Sequence, residues 1–231
     1  VSQQDGRTLL VSGGAAGLGA AVVAAAAERG WRPLVLDKQA PSGPVADFRA
    51  VDVGDSAETE DAVQQLVREH GGLDAVVTAA GVDSCGPLTS VSAADWERVI
   101  RVNLLGTAAV VRAALPALQR SHGRIVTVAS TLGLRVAGDA SAYCASKFGV
   151  VGFTRAMAME LAGQVGVTLA IPGGMRTGFF DGREEQYKPP DVTKLNRPEH
   201  VAENIMHVLT RPRGAEIREL VMCHEEEPSW P

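Results

Sequence analysis

The chain has few cysteines, and they stand apart. Cys85, Cys144 and Cys223 are odd in number and show no metal-ligand spacing. This excludes a disulfide framework and a zinc site as organising devices, and it points to reduced thiols in a cytoplasmic setting. The histidines, at 70, 122, 200, 207 and 224, form no triad or zinc motif, so no metal is expected. Basic runs are missing too. With a net charge of −5 and a pI near 5.6, the sequence argues against nucleic acid as a partner. No segment approaches the roughly 20 consecutive apolar residues that span a bilayer, so no membrane partner is expected. The Ala/Val run after residue 19 follows a glycine turn and lacks a basic n-region, which sets it apart from a secretion signal. Aromatics make up only 4% of the residues and favour a small or medium, largely neutral substrate.

What is present is ordinary globular material, 45% hydrophobic and 21% charged over 231 residues, enough for one α/β domain with a sizeable core. Short β-prone runs alternate with helix-length segments: Thr8 to Ser12, Pro33 to Asp37, Phe48 to Val51, Ala75 to Thr78, Arg124 to Ala129, Val167 to Ile171 and Glu219 to Met222. The alternation predicts a doubly wound, Rossmann-type parallel sheet of about seven strands with helices on both faces, as a single domain over 1–231. In such a sheet, ligands bind beyond the carboxyl ends of the strands.

The first strand runs into Ser12-Gly13-Gly14-Ala15-Ala16-Gly17-Leu18-Gly19, and an Ala/Val-rich helix follows. Glycines allow close backbone approach, and the first N–H groups of the helix suit a pyrophosphate. The second strand ends in Asp37, where a carboxylate can hydrogen-bond a ribose diol and repel a 2′-phosphate. NAD is therefore the expected cofactor. Lys38 is an adjacent cation that offsets part of the repulsion, so NADP stays open.

Tyr143 and Lys147 lie at i and i+4 of a helix expected over Ser141 to Leu161, with Ser130 at the end of the fifth strand. An ammonium near a phenol favours phenolate and moves tyrosine toward useful acid–base chemistry at neutral pH.

Taken together, Gly13-x-x-x-Gly17-x-Gly19, Ser130, Tyr143 and Lys147 resemble the short-chain dehydrogenase/reductase family over essentially the whole chain. The resemblance implies hydride transfer between a nicotinamide cofactor and an alcohol or ketone substrate, with Ser130, Tyr143 and Lys147 as catalytic residues and Asn103 in a proton relay. It implies a cofactor site of Gly13, Gly17, Leu18, Gly19, Asp37, Asp52, Val53, Ala80, Gly81, Tyr143, Lys147, Pro172, Gly173 and Thr177, in which Asp52 and Val53 hold the adenine and Pro172, Gly173 and Thr177 bracket the nicotinamide. A homodimer or homotetramer paired through helices near Asn103 to Ser121 and Ser141 to Leu161 also follows from it. Two positions depart from the family: Thr78-Ala79-Ala80-Gly81 replaces the usual Asn-Asn-Ala-Gly, and Ile171 stands where Asn often precedes Pro-Gly. Altered local bracing is expected there, with activity retained.

The segment at about 178–197 lacks clean periodicity and carries Phe179, Phe180 and Tyr187, as a short lid over an apolar substrate would. The acidic tail from Glu225 to Pro231 carries Trp230, which either docks on a neighbouring subunit or frays. A non-catalytic nucleotide-binding regulator or scaffold of the same fold is the alternative, and it gives no reason for Asn103, Ser130, Tyr143 and Lys147 to occur together. A dehydratase or epimerase relative tends to be longer and to carry a second lobe.

Overall fold

A computed structural model describes residues 6–227; Trp230 lies outside them. Seven strands form one parallel sheet in the order β3-β2-β1-β4-β5-β6-β7. They are β1 (Thr8–Ser12), β2 (Arg32–Asp37), β3 (Asp47–Ala50), β4 (Ala75–Thr78), β5 (Arg124–Val128), β6 (Gly166–Pro172) and β7 (Glu219–Met222). All strands expected from the sequence are present, with β3 shifted by one residue toward the N-terminus.

Strand residues alternate between two cores, as the pleat dictates. Leu9 and Val11 of β1 and Val35 of β2 face one side, against α1 (Gly17–Glu28) and α6 (Pro198–Leu209). Leu10, Leu34 and Leu36 face the other side, against α2 (Ser56–Glu69), α4 (Thr107–Ser121) and the C-terminal part of α5 (Ser141–Glu160). Both faces are covered, so the strands read as nearly continuous apolar runs.

The helix expected from Asn103 starts earlier. α3 (Ala93–Ile100) runs through a wider π-turn at Arg101–Gly106 into α4. The joined helix spans 29 residues and by length and composition is apolar enough to cross a membrane. No unbroken apolar run of that length stands in the sequence. Half of its most apolar stretch is buried in this fold, and it packs on α2 and α5 as a core helix does.

β1 pairs with β2 on one side and β4 on the other, so the chain reverses its direction of winding there and opens a crevice at the carboxyl ends. The glycine turn enters this crevice, where Gly13 N–H donates to Leu36 O at 2.8 Å and Ala79 N–H donates to Ser12 O at 3.0 Å.

Candidate active site

The crevice is a cleft of about 710 Å³, lined by residues from every strand end between β2 and β6 and from the 178–197 segment. One wall is the glycine turn. A Cβ at Gly19 would stand 1.9 Å from Gly13 O, and one at Gly13 would stand 2.6 Å from the Ala80 backbone. The turn can pack this closely only without side chains, and that leaves its backbone open to the cleft beside Leu18. Gly17 has φ +54° and faces Thr177 across the opening.

Asp37 ends β2 at the cleft edge. Its Oδ2 accepts from Ala15 N–H at 3.0 Å and its Oδ1 from Gln39 N–H at 3.1 Å, so the carboxylate is fixed to the glycine turn. Lys38 turns away from it and pairs with Asp52 Oδ2 at 3.0 Å. The Gly54 N–H, then Lys38, hold the Asp52 carboxyl below its usual range. The cation next to Asp37 is thus already engaged by another acid. Asp52 and Val53 both line the cleft beside it.

The reactive end lies between β4, β5 and α5. Ser130 follows β5, and its side chain is hydrogen-bonded to Tyr143. Its Oγ also accepts from Leu132 N–H at 3.2 Å, which fixes the hydroxyl. Lys147, buried one turn after Tyr143, donates from Nζ to Val128 O at 2.9 Å and stands 5.5 Å from the Tyr143 ring centre. Burial lowers the Lys147 amine to about 8, against a small upward pull from Asp83. Burial also pushes the Tyr143 phenol above its ordinary value; the Ser130 hydrogen bond and Arg183 pull it down, while Asp83 and Cys144 push it up. The sequence predicts a phenol lowered by Lys147. Desolvation dominates at Tyr143 in the structure, and Lys147 gives one of its three N–H donors to the β5 carbonyl rather than to the phenol. Ser141, near Tyr143 in sequence, faces elsewhere and accepts from Trp96 Nε1 at 3.1 Å.

Asn103 sits in the π-turn and is fully buried. Its Oδ1 accepts from Val82 N–H at 2.8 Å, and its Nδ2 donates to Val82 O at 2.9 Å and to Ser146 Oγ at 3.0 Å. The side chain clamps the backbone just after Ala80 and Gly81. A Cβ at Gly81 would lie 3.6 Å from Asn103 Oδ1 and 3.8 Å from Lys147 Nζ, so the clamp borders the lysine. The two departures from the family include buried positions, Thr78 and Ile171. Thr78 Oγ1 is buried without a hydrogen-bond partner among the described residues, and Ile171 fills a small apolar cluster with Ala129, Val150 and Leu169.

Pro172, Gly173 and Thr177 line the end of the cleft nearest the 178–197 segment. That segment contains three short 3₁₀ turns, at Gly178–Phe180, Glu185–Tyr187 and Val192–Lys194. Phe179 packs on Tyr143 with ring centres 5.7 Å apart, and the Arg183 guanidinium lies over both Phe179 and Phe180. Arg183 Nη2 pairs with Asp83 Oδ2 at 2.7 Å, and Tyr187 OH donates to Asp139 Oδ2 at 3.1 Å. Asp139 is held at φ +58°, a conformation uncommon outside glycine and often found at functional sites. Sequence reasoning missed Asp83, Asp139 and Glu227 as cleft residues, and no motif marks them.

Among the described residues one group has metal-like closeness, Asp47, Glu69 and His70. Arg49 pairs with both carboxylates and Arg32 with the imidazole, so this is an ion-pair network at the amino end of β3.

The family model described as short chain dehydrogenase matches residues 7–188. The chain belongs to that family. It is 32% identical over 227 residues to the (2S)-[(R)-hydroxy(phenyl)methyl]succinyl-CoA dehydrogenase subunit BbsD of Thauera aromatica, an alignment covering 90% of this chain and 91% of that one. The fold superimposes on ligand-free aldohexose dehydrogenase of Thermoplasma acidophilum with a TM-score of 0.87 at 24% identity, covering 95% of this chain and 93% of the other. It also superimposes on an alcohol dehydrogenase of Thermococcus sibiricus complexed with 5-hydroxy-NADP, with a TM-score of 0.86 at 21% identity and coverage of 96% and 98%. With this family membership and site, the chain is an NAD(P)-dependent oxidoreductase. The glycine cradle, closed to any Cβ, and the carboxylate fixed at the end of β2 fit a dinucleotide.

Proposed function

We propose that the enzyme interconverts a small or medium, largely neutral secondary alcohol and its ketone with NAD, using Tyr143 as the proton-transferring group. The observation that carries this reading is the Ser130–Tyr143 hydrogen bond one helical turn from Lys147, in a glycine-cradled cleft. A bound nicotinamide would supply the hydride acceptor for the alcohol carbon and the hydride donor for the ketone carbon. Ser130 holds the substrate oxygen. Tyr143, a neutral phenol in the folded site, gives its proton to the ketone oxygen during reduction, and the phenolate so formed takes the hydroxyl proton in the reverse, oxidative direction. Lys147, largely protonated at neutral pH with an amine near 8, holds positive charge beside the phenolate that forms and hydrogen-bonds the nicotinamide ribose. Asn103 fixes the turn bearing Ala80 and Gly81, and we assign its relay role to the same clamp beside Lys147.

Gly13, Gly17, Leu18 and Gly19 would hold the pyrophosphate, Asp37 the adenosine ribose, Asp52 and Val53 the adenine, and Pro172, Gly173 and Thr177 the nicotinamide. Preference for NAD rests on Asp37, because Lys38 is paired with Asp52. Segment 178–197 acts as a lid in a single-domain enzyme, with Phe179 and Phe180 excluding water from Tyr143. Leu105, Phe148 and Met159 are exposed apolar residues on the long helix and α5, and they support a homodimer or homotetramer through those faces. Three unbridged thiols support a cytoplasmic location.

Fluorescence titration with NADH and with NADPH, repeated on Asp37→Ala, tests the cofactor reading. Tighter NADH binding that loses its selectivity in the variant supports it; NADPH preference in the native chain refutes it.

A further inference from the structure

Asp83 stands near the buried Lys147 amine and is held there from two sides. Gly81 borders the Lys147 Nζ, and the same loop carries Asp83 just beyond it. Asn103 grips both backbone groups of Val82 between them, so the carboxylate has a fixed place. Asp83 Oδ1 accepts from Ser84 N–H at 2.7 Å, and Oδ2 accepts from Cys85 Sγ at 3.2 Å. These donors come from the loop itself. The remaining partner, Arg183 Nη2 at 2.7 Å, comes from segment 178–197. Ser130 after β5, Asn103 on the π-turn and Cys144 on α5 also face the Tyr143–Lys147 pair, and Asp139 lines the same cleft with the Tyr187 hydroxyl on it. Beyond the burial that dominates both groups, Asp83 raises the proton affinity of Lys147 and of Tyr143, whereas Arg183 lowers that of Tyr143.

We propose that Asp83 is the counter-charge of Lys147, and that Arg183 makes its pull depend on whether segment 178–197 is seated. Both are positioning residues, and the inference rests on the reading above, in which Tyr143 transfers the proton beneath that segment. With the segment seated, the guanidinium offsets the carboxylate. With it lifted, the carboxylate acts unopposed, favouring the ammonium and disfavouring phenolate. Seating therefore loosens the Tyr143 proton at the moment when Phe179 covers the ring, and the proton moves most readily in the closed site. Salt screens such buried charges little.

The test follows the Lys147 amine by carbon NMR of protein labelled at the lysine Cε, in the native chain, Asp83→Asn, Arg183→Met and the double variant. The lysines of the chain are Lys38, Lys147, Lys188 and Lys194, and Lys147→Met identifies the signal. Native Lys147 is expected to titrate near 8. Its midpoint should fall by about one unit in Asp83→Asn and rise by about one unit in Arg183→Met. A segment that only keeps water out predicts a rise in both, because opening hydrates the amine either way. The double variant and Arg183→Met both lack the ion pair and differ only in the Asp83 charge, so the double should titrate about one unit lower. That comparison stands even where Asp83→Asn alone fails to fold. Shifts of the same sign in the two single variants, unchanged midpoints, or a double variant level with Arg183→Met overturn the proposal. The readout needs no substrate, so the two readings fail separately: turnover retained by Tyr143→Phe removes the proton-transfer reading, whereas fixed midpoints beside an inactive Tyr143→Phe remove only the role of Asp83 and Arg183.

Discussion

Arg183 and Asp83 are 100 residues apart in sequence and form an ion pair at 2.7 Å whose side chains are only 17% and 7% exposed. The pair joins segment 178–197 to the loop after β4, and the same guanidinium rests on Phe179, which rests on Tyr143. One arginine therefore connects the cover of the site to its reactive residue.

Removing one partner leaves the other charge poorly solvated, at a cost on the order of 2–4 kcal/mol for a pair this buried. Arg183→Met is expected to speed limited proteolysis within 178–197 and to raise KM several-fold. The double variant Asp83→Asn/Arg183→Met should be less impaired than Arg183→Met alone, because no orphaned carboxylate remains. Proteolysis rates and steady-state kinetics of the native chain and the two variants check this, and equal cleavage rates in all three proteins would count against the latch.

The glycine turn gives a graded prediction. Gly19→Ala places a Cβ 1.9 Å from Gly13 O, so the turn must move, and cofactor affinity should fall at least about tenfold. At Gly17 the nearest side-chain atoms, on Thr177, are 3.5 Å away, and the penalty is the left-handed backbone alone, about 1 kcal/mol. Thermal melts and NADH titrations should rank Gly19→Ala well below Gly17→Ala; the reverse order would refute the cradle.

Lys147 leaves a signature in stability against pH. Its amine titrates near 8 in the fold and at 10.5 ordinarily, so between those values the unfolded chain binds the extra proton and folding stability rises with pH. Below pH 8 the amine is charged in both states, and its burial penalty is constant, on the order of 3 kcal/mol for a shift this size. Lys147→Met lacks this dependence. Its stability relative to the native chain should be greatest at neutral pH and should decline from about pH 8 to about pH 10.5, as read from urea midpoints. A difference that is flat over that range contradicts the buried amine.

The strand ends were legible in the sequence because each carries its own local signal: glycines after β1, an acid closing β2, Ser130 after β5, and Pro172-Gly173 closing β6. Local signals also placed Tyr143 and Lys147 on one helix face. The pairings across the cleft were not legible. Lys38 choosing Asp52, Arg183 choosing Asp83 and Glu227 settling on Gly173 depend on which loops the sheet brings together, and no sequence spacing records that. The rise of the Tyr143 phenol belongs to the same class, since burial is a property of the folded site. The π-turn at Arg101–Gly106 escaped notice because its residues keep ordinary helical character, so the pattern reads as a helix beginning at Asn103.

The most direct test of the account is Tyr143→Phe, assayed for turnover on a panel of secondary alcohols and ketones and for cofactor affinity by titration. The variant keeps the ring that packs on Phe179 and removes only the hydroxyl that meets Ser130. The account predicts a loss of turnover of about 10²–10⁴-fold, with cofactor Kd unchanged within about twofold. Retention of a large share of native turnover by Tyr143→Phe would contradict it.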